Sequence, residues 1–136
     1  MAANIVEQFI EALRELEENR EFEAMVGLYA EGSEVGNIHA PEKFTGPTGA
    51  REFWTKYRET FGEVRSTFRN RIINDKRAAL EWTTEGTTAN GAPVNYEGVS
   101  ILEIEGDRIT RFCAYFDPEA LGRQIERAAT TTTAGK

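Results

Sequence analysis

Residues 94–116 read VNYEGVSILEIEGDRITRFCAYF. Two runs rich in β-branched and aromatic residues flank the turn signal EGDR, which is the pattern of two strands joined tightly. Upstream, VRSTFRNRII (64–73) and AALEWTTEGTT (78–88) have the same texture. NDKR separates those two runs, and ANGAP separates the second from the stretch at 94–116. Four successive strands with short turns predict a curved antiparallel sheet filling the second half of the chain.

The first half has a different period. In NIVEQFIEALRELE (4–17), Ile5, Phe9, Leu13 and Leu16 fall on one helical face, and Asn4 with Glu7 resembles a capping box. A second helix is predicted from Arg20 to Ala30, with Phe22, Met25, Val26 and Tyr29 as its apolar stripe. An extended piece, SEVGNI, follows, then the loop HAPEKFTGPTG. A third helix is predicted from an N-cap at Thr48 to Gly62, burying Phe53, Tyr57 and Phe61 with Trp54 beside them. After the strands, Asp117 and Pro118 announce a last helix, DPEALGRQIERA. Residues 1–129 are read as one domain and 130–136, TTTTAGK, as a disordered tail. Helices first and a long sheet second make an α+β domain.

The composition narrows what such a domain can do. The chain has 136 residues, 40% hydrophobic and 29% charged, so one domain with a real core is expected. The net charge of −7 argues against nucleic acid and against anionic membranes. No apolar run approaches a bilayer span and MAANIVEQF has no signal-peptide pattern, so a soluble, cytoplasmic protein is expected. One histidine, His39, and one cysteine, Cys113, leave no disulfide and no usual zinc set. No metal or cofactor is expected.

Counting from the turns gives a strand register. If NDKR closes a two-residue hairpin, Asn70 opposes Glu81 and Arg69 opposes Trp82. If ANGA closes the next, Glu81 opposes Ser100, Thr83 opposes Gly98, and Glu85 opposes Tyr96. Opposed residues share a face. One face then carries Phe68, Asn70, Glu81, Thr83, Tyr96 and Ser100. The other carries Arg65, Arg69, Arg71, Trp82, Val99 and Ile101. For Phe112 and Ala114 to join the first face, the EGDR turn needs a three-residue loop or a bulge. A slip of one residue reverses the faces.

Three stretches taken in order carry a family resemblance: FIEALRELEENREFEAMVGLYAEGSEV, FTGPTGAREFW and GVSILEIEGDRITRFCAYFDPEAL. With them the chain resembles the nuclear transport factor 2-like superfamily, and within it the SnoaL-like group of polyketide cyclases, ketosteroid isomerases and limonene epoxide hydrolases. The resemblance implies a cone, a bent sheet wrapped by helices around an internal cavity, and a homodimer. It also implies a small apolar ligand, polyketide-, terpenoid- or steroid-like. The positions that carry catalysis in those relatives fall here on Glu81, Thr83, Ser100 and Ala114, which selects the first face as the cavity wall.

The resemblance does not carry one reaction. The isomerase base position falls on Asn37, its tyrosine on Phe9 and its acid on Ser100, and Asn cannot abstract a proton. The Asp–Arg–Asp set of the epoxide hydrolases falls on Thr83, Glu81 and Ala114, so that set is absent. A cyclase role, which needs one placed acid or base and a large apolar pocket, is the least contradicted. Glu81, as a carboxyl inside an apolar cone, and His39, in the loop two residues past Asn37, are the catalytic candidates. Asn37, Trp54, Tyr57, Asn70, Thr83, Tyr96, Ser100 and Phe112 are the candidate ligand contacts. The opposite face, with an expected cation–π pair between Arg69 and Trp82, is read as the dimer surface. Three functions are therefore weighed: a small-molecule enzyme of isomerase, cyclase or hydrolase type, a non-catalytic binder of a small apolar ligand, and a protein-interaction module.

Overall fold

The first helix, α1 (Ala2–Asn19), forms where the periodic apolar stripe predicts it and buries Ile5, Val6, Phe9, Leu13 and Leu16. It begins earlier than Asn4, so Asn4 lies inside its first turn and caps nothing. The computed structural model describes residues 2–39 and 43–124. The tail expected from residue 130 lies outside these residues.

The second helix is far shorter than its stripe suggests. α2 spans only Glu23–Val26, and Tyr29 already belongs to the first strand, β1 (Tyr29–Asn37). The reason is tertiary. Tyr29 pairs with Ile109 in the sheet, and the Ile109 N–H donates to Leu28 O. A two-residue strand, β2 (Phe44–Thr45), pairs with β1 and leads into α3 (Gly46–Glu59). Helix α3 starts at Gly46, not after Thr48, with Thr45 extended before it and Pro in its first turn. Gly46 has φ +68, and a Cβ there would lie 2.7 Å from Glu31 O, so only glycine fits this entry.

Four long strands follow, as the sequence predicts: β3 (Phe61–Ile73), β4 (Arg77–Thr88), β5 (Pro93–Glu105) and β6 (Arg108–Phe116). The six strands form one sheet in the order β2-β1-β6-β5-β4-β3. All pairs are antiparallel except β1 with β6, which makes the sheet mixed. Bulges between Phe68 and Asn70 and between Glu103 and Ile104 bend it around α1 and α3. Residues 118–124 are helical after a cap in which Asp117 Oδ1 accepts from the Glu119 and Ala120 N–H groups. Gln124 then ties this segment to β5 by two bonds with the Asn95 backbone.

The register corrects the turn count in two places. Asn70 opposes Glu81 as expected, but the bulge puts Phe68, not Arg69, opposite Trp82. Between β4 and β5 every pair is one residue off the expected one: Leu80 opposes Ser100, Trp82 opposes Gly98, and Thr84 opposes Tyr96. The loop is the cause. Thr88 joins it, giving five residues, because Thr88 Oγ1 accepts from the Asn90 and Ala92 N–H groups while Gly91 turns with φ +93. At the other hairpin the bulge needed to bring Ala114 opposite Ser100 is present.

Candidate functional site

A one-residue slip exchanges the faces of β4. The concave face therefore carries Leu80, Trp82 and Thr84. Glu81 and Thr83 point to the convex side, where Glu81 accepts a hydrogen bond from Asn70 and Thr83 one from Arg69. Arg69 also pairs with Glu97, so the expected stack of Arg69 on Trp82 does not exist. Arg71 turns to the helix side and pairs with Glu7 at 2.8 Å.

Between the concave face and helices α1 and α3 lies a cavity of about 290 Å³. Of the residues singled out from sequence, Asn37, Trp54, Tyr57, Tyr96, Ser100 and Phe112 line it, whereas Glu81, Asn70, Thr83 and His39 do not. Its walls are aromatic and interlocked. Trp54 packs against Phe112 at 5.2 Å with the rings tilted by 57°, and meets Phe9 edge-on at 6.0 Å. Tyr96 meets Trp82 at 5.3 Å and Phe116 at 5.5 Å. The two indoles turn their polar edges onto hydroxyls: Trp54 Nε1 donates to Tyr29 Oη and Trp82 Nε1 to Ser100 Oγ. Burial pushes the Tyr29 phenol above its ordinary value.

His39 sits at the end of β1, exposed. Its N–H donates to Asn37 Oδ1 and its Nε2–H to Phe116 O at 3.1 Å. The carbonyl can only accept, so Nε2 carries the proton. The ring stands edge-on to Phe116, outside the wall that Phe116 provides.

Behind the polar end of the cavity, not in its lining, stands a residue that the sequence reading passes over. Glu17 is 4% exposed at the end of the α1 stripe. Its carboxylate accepts from Tyr57 Oη at 2.7 Å, from Ser66 Oγ at 2.6 Å and from Ser66 N at 2.8 Å. Ser66 Oγ is in turn 2.7 Å from Thr84 Oγ1. Ser66, Thr84 and Tyr96 lie on one cross-strand row of β3, β4 and β5. Arg58 fastens the site from behind by donating to the carbonyls of Glu17, Phe61 and Gly62. Desolvation, then the nearby Glu17 charge, raises both the Tyr57 and Tyr96 phenols above their ordinary value. The available signal was periodic: Glu17 stands four residues after Leu13, a charge on a buried stripe. Ser66 and Thr84 became visible only with the register. Among the described residues no three His, Cys, Asp or Glu side chains gather as a metal ion would need. No helix among them is long and apolar enough to cross a membrane.

Similarity to known proteins agrees with this architecture. The SnoaL-like domain family matches residues 6–112. No curated protein matches the chain. Among solved structures, an NTF2-like protein of unknown function from Burkholderia pseudomallei superposes with a TM-score of 0.79 at 18% identity, covering 90% of this chain and 95% of that one. TerC, co-crystallised with polyporic acid, gives 0.78 at 19% identity over 91% and 97%. An epoxide hydrolase of M. tuberculosis, similar to the limonene epoxide hydrolases, gives 0.69 at 16% over 98% and 95%. At these identities the likeness is one of fold. The match across most of its length, joined to the cone of helices and bent sheet, shows that this chain belongs to the SnoaL-like domain family.

Proposed function

We propose that the protein is a small-molecule enzyme of the isomerase, cyclase or hydrolase type, performing acid–base chemistry on an apolar molecule held in the cavity. One observation carries this reading: three hydroxyls, Tyr57, Ser66 and Thr84, line one end of a largely aromatic chamber, and the buried Glu17 carboxylate stands directly behind them, accepting from Tyr57 and Ser66. Burying a carboxylate is costly, and holding a purely apolar ligand does not require it. The acid–base role passes from Glu81, which lies on the far face, to Glu17, which stands behind the cavity wall and is connected to it through the Tyr57 hydroxyl and the Ser66–Thr84 pair. His39, which does not line the cavity and pairs through Nε2 with Phe116 O, takes no catalytic part in this proposal. Homodimerisation through the convex face is part of the proposal. That face keeps half-buried Val99 and Ile101 with Tyr115 beside them, although Trp82 is not on it.

A second reading, a non-catalytic binder, draws support from the walls. The Trp54 and Trp82 N–H groups are already paired within the protein, and Ala114 stands where the hydrolases place an acid. The two readings separate with 2-tetralone, a bicyclic enolisable ketone, followed by NMR in deuterium oxide. Protein-catalysed exchange of its α-hydrogens, reduced about 100-fold or more in Glu17→Gln, is the expected result. Tight binding with no catalysed exchange removes the enzyme reading.

A further inference from the structure

We infer that the molecule held in the cavity carries a hydroxyl group, an alcohol, phenol or enol, at the end bounded by Tyr57, Ser66 and Thr84, and donates that hydrogen to the protein. The inference deepens the cavity reading above and rests on it.

It follows from counting protons. Each hydroxyl of the site has one. Tyr57 gives its proton to Glu17 at 2.7 Å, and Ser66 gives its own to the same carboxylate oxygen at 2.6 Å. With its hydrogen committed, Ser66 Oγ can only accept from Thr84 Oγ1, 2.7 Å away. Thr84 has then spent its proton as well. The chain of bonds therefore has a direction, from Thr84 through Ser66 to Glu17, and it begins with an oxygen that has lone pairs and no hydrogen left to give. Tyr57 Oη is in the same position. Toward a ligand, this end of the cavity presents acceptors.

Of the donors in the lining, Lys56 is paired with Glu52, and Tyr96 lies opposite Thr84 in the sheet. Tyr96 lines the cavity on the same strand row, and its hydroxyl has no hydrogen-bond partner among the described residues. The phenol stays neutral, raised by burial and by Glu17, so it keeps its proton to offer. A ligand oxygen placed here must donate to Thr84 or Tyr57 and accept from Tyr96. A hydroxyl does both. An ether or a carbonyl can accept from Tyr96 but sets its own lone pairs against those of Thr84, and an ammonium group has no lone pair for Tyr96. Ser100, whose oxygen already takes the Trp82 proton, lies four residues along β5 and belongs to another row. The same chain offers a route for the ligand's proton. The ligand O–H breaks as Thr84 Oγ1 gains a proton and passes its own to Ser66. Ser66 passes its own to Glu17, leaving a ligand oxyanion that Tyr96 can hold.

The test compares 2-naphthol with 2-methoxynaphthalene, equal in ring surface but without the donor, on the wild-type protein. Both tryptophans of the chain lie on the cavity wall, so quenching of their fluorescence reports binding inside it. The naphthol is expected to bind at least tenfold tighter than the ether. Thr84→Val is expected to weaken the naphthol about tenfold and to leave the ether within twofold. Equal binding of the two probes by the wild type, or a naphthol affinity unmoved by Thr84→Val, overturns the inference and leaves the cavity reading standing. Failure of both probes to bind overturns the cavity reading, and this inference with it.

Discussion

Tyr57 and Tyr96 illustrate how single side chains in this protein depend on their surroundings. Both phenols, and Tyr29 on the other side of Trp54, are raised above their ordinary value, chiefly by burial. The sign of the consequence is fixed by linkage. Above about pH 10 the unfolded chain releases these protons while the folded chain keeps them. The unfolded state then binds fewer protons, so stability is complete below that pH and falls as pH rises through the window above it. Each buried tyrosine contributes a slope of about 1.4 kcal/mol per pH unit there. We expect denaturant midpoints to be flat across neutral pH and to drop steeply above about pH 10. The phenolate absorbance of these tyrosines should appear together with the loss of native structure. A gradual rise of their phenolate signal in a chain that remains folded would contradict the burial assigned to them.

At the scale of elements, the register between β4 and β5 decides which side chains see the cavity, and Gly98 guards it. Gly98 opposes Trp82 on one side and Phe116 on the other. A Cβ at this position would lie 2.3 Å from Tyr115 O and 2.8 Å from the Trp82 ring. Neither the backbone nor the wedged indole can retreat cheaply. Gly98→Ala is expected to cost about 3 kcal/mol in urea unfolding. Gly32→Ala, where a Cβ meets nothing within 4 Å, should change stability by less than about 0.5 kcal/mol. Similar losses from both variants would count against this packing. The same hairpin shows where sequence reasoning stopped. The existence and order of the four strands were legible from β-branched runs and turn residues. The fifth loop residue was not, because Thr88, still paired with Phe61 in β3, drops out of the pairing with β5 and accepts two loop N–H groups, and no local pattern announces that.

At the scale of the whole molecule, the convex face is proposed as the dimer surface. Opposite charges pair across it, Arg69 with Glu97 and Arg111 with Glu103, around half-buried Val99 and Ile101. The solution mass at micromolar concentration, measured by sedimentation, is expected to be twice that of the chain. A monomer mass would remove the proposal. The sequence by itself determined the α+β class, the helix stripes, the four strands and their order, and the family, because each rests on local periodicity or on an ordered series of short segments. It also placed Asn37, Trp54, Tyr57, Tyr96, Ser100 and Phe112 around one cavity. Only the tertiary structure decided that the helix expected at 20–30 shrinks to one turn, that β1 runs parallel to β6, and that Trp82 and Thr84, not Glu81 and Thr83, face inward. Strand faces alternate residue by residue, so one added loop residue reverses a whole face. With Glu81 turned outward, the carboxylate nearest the cavity hydroxyls is Glu17 of α1, which stands behind them. Its partners Tyr57, Ser66 and Thr84 come from α3, β3 and β4, and folding alone brings them within hydrogen-bond reach of one another.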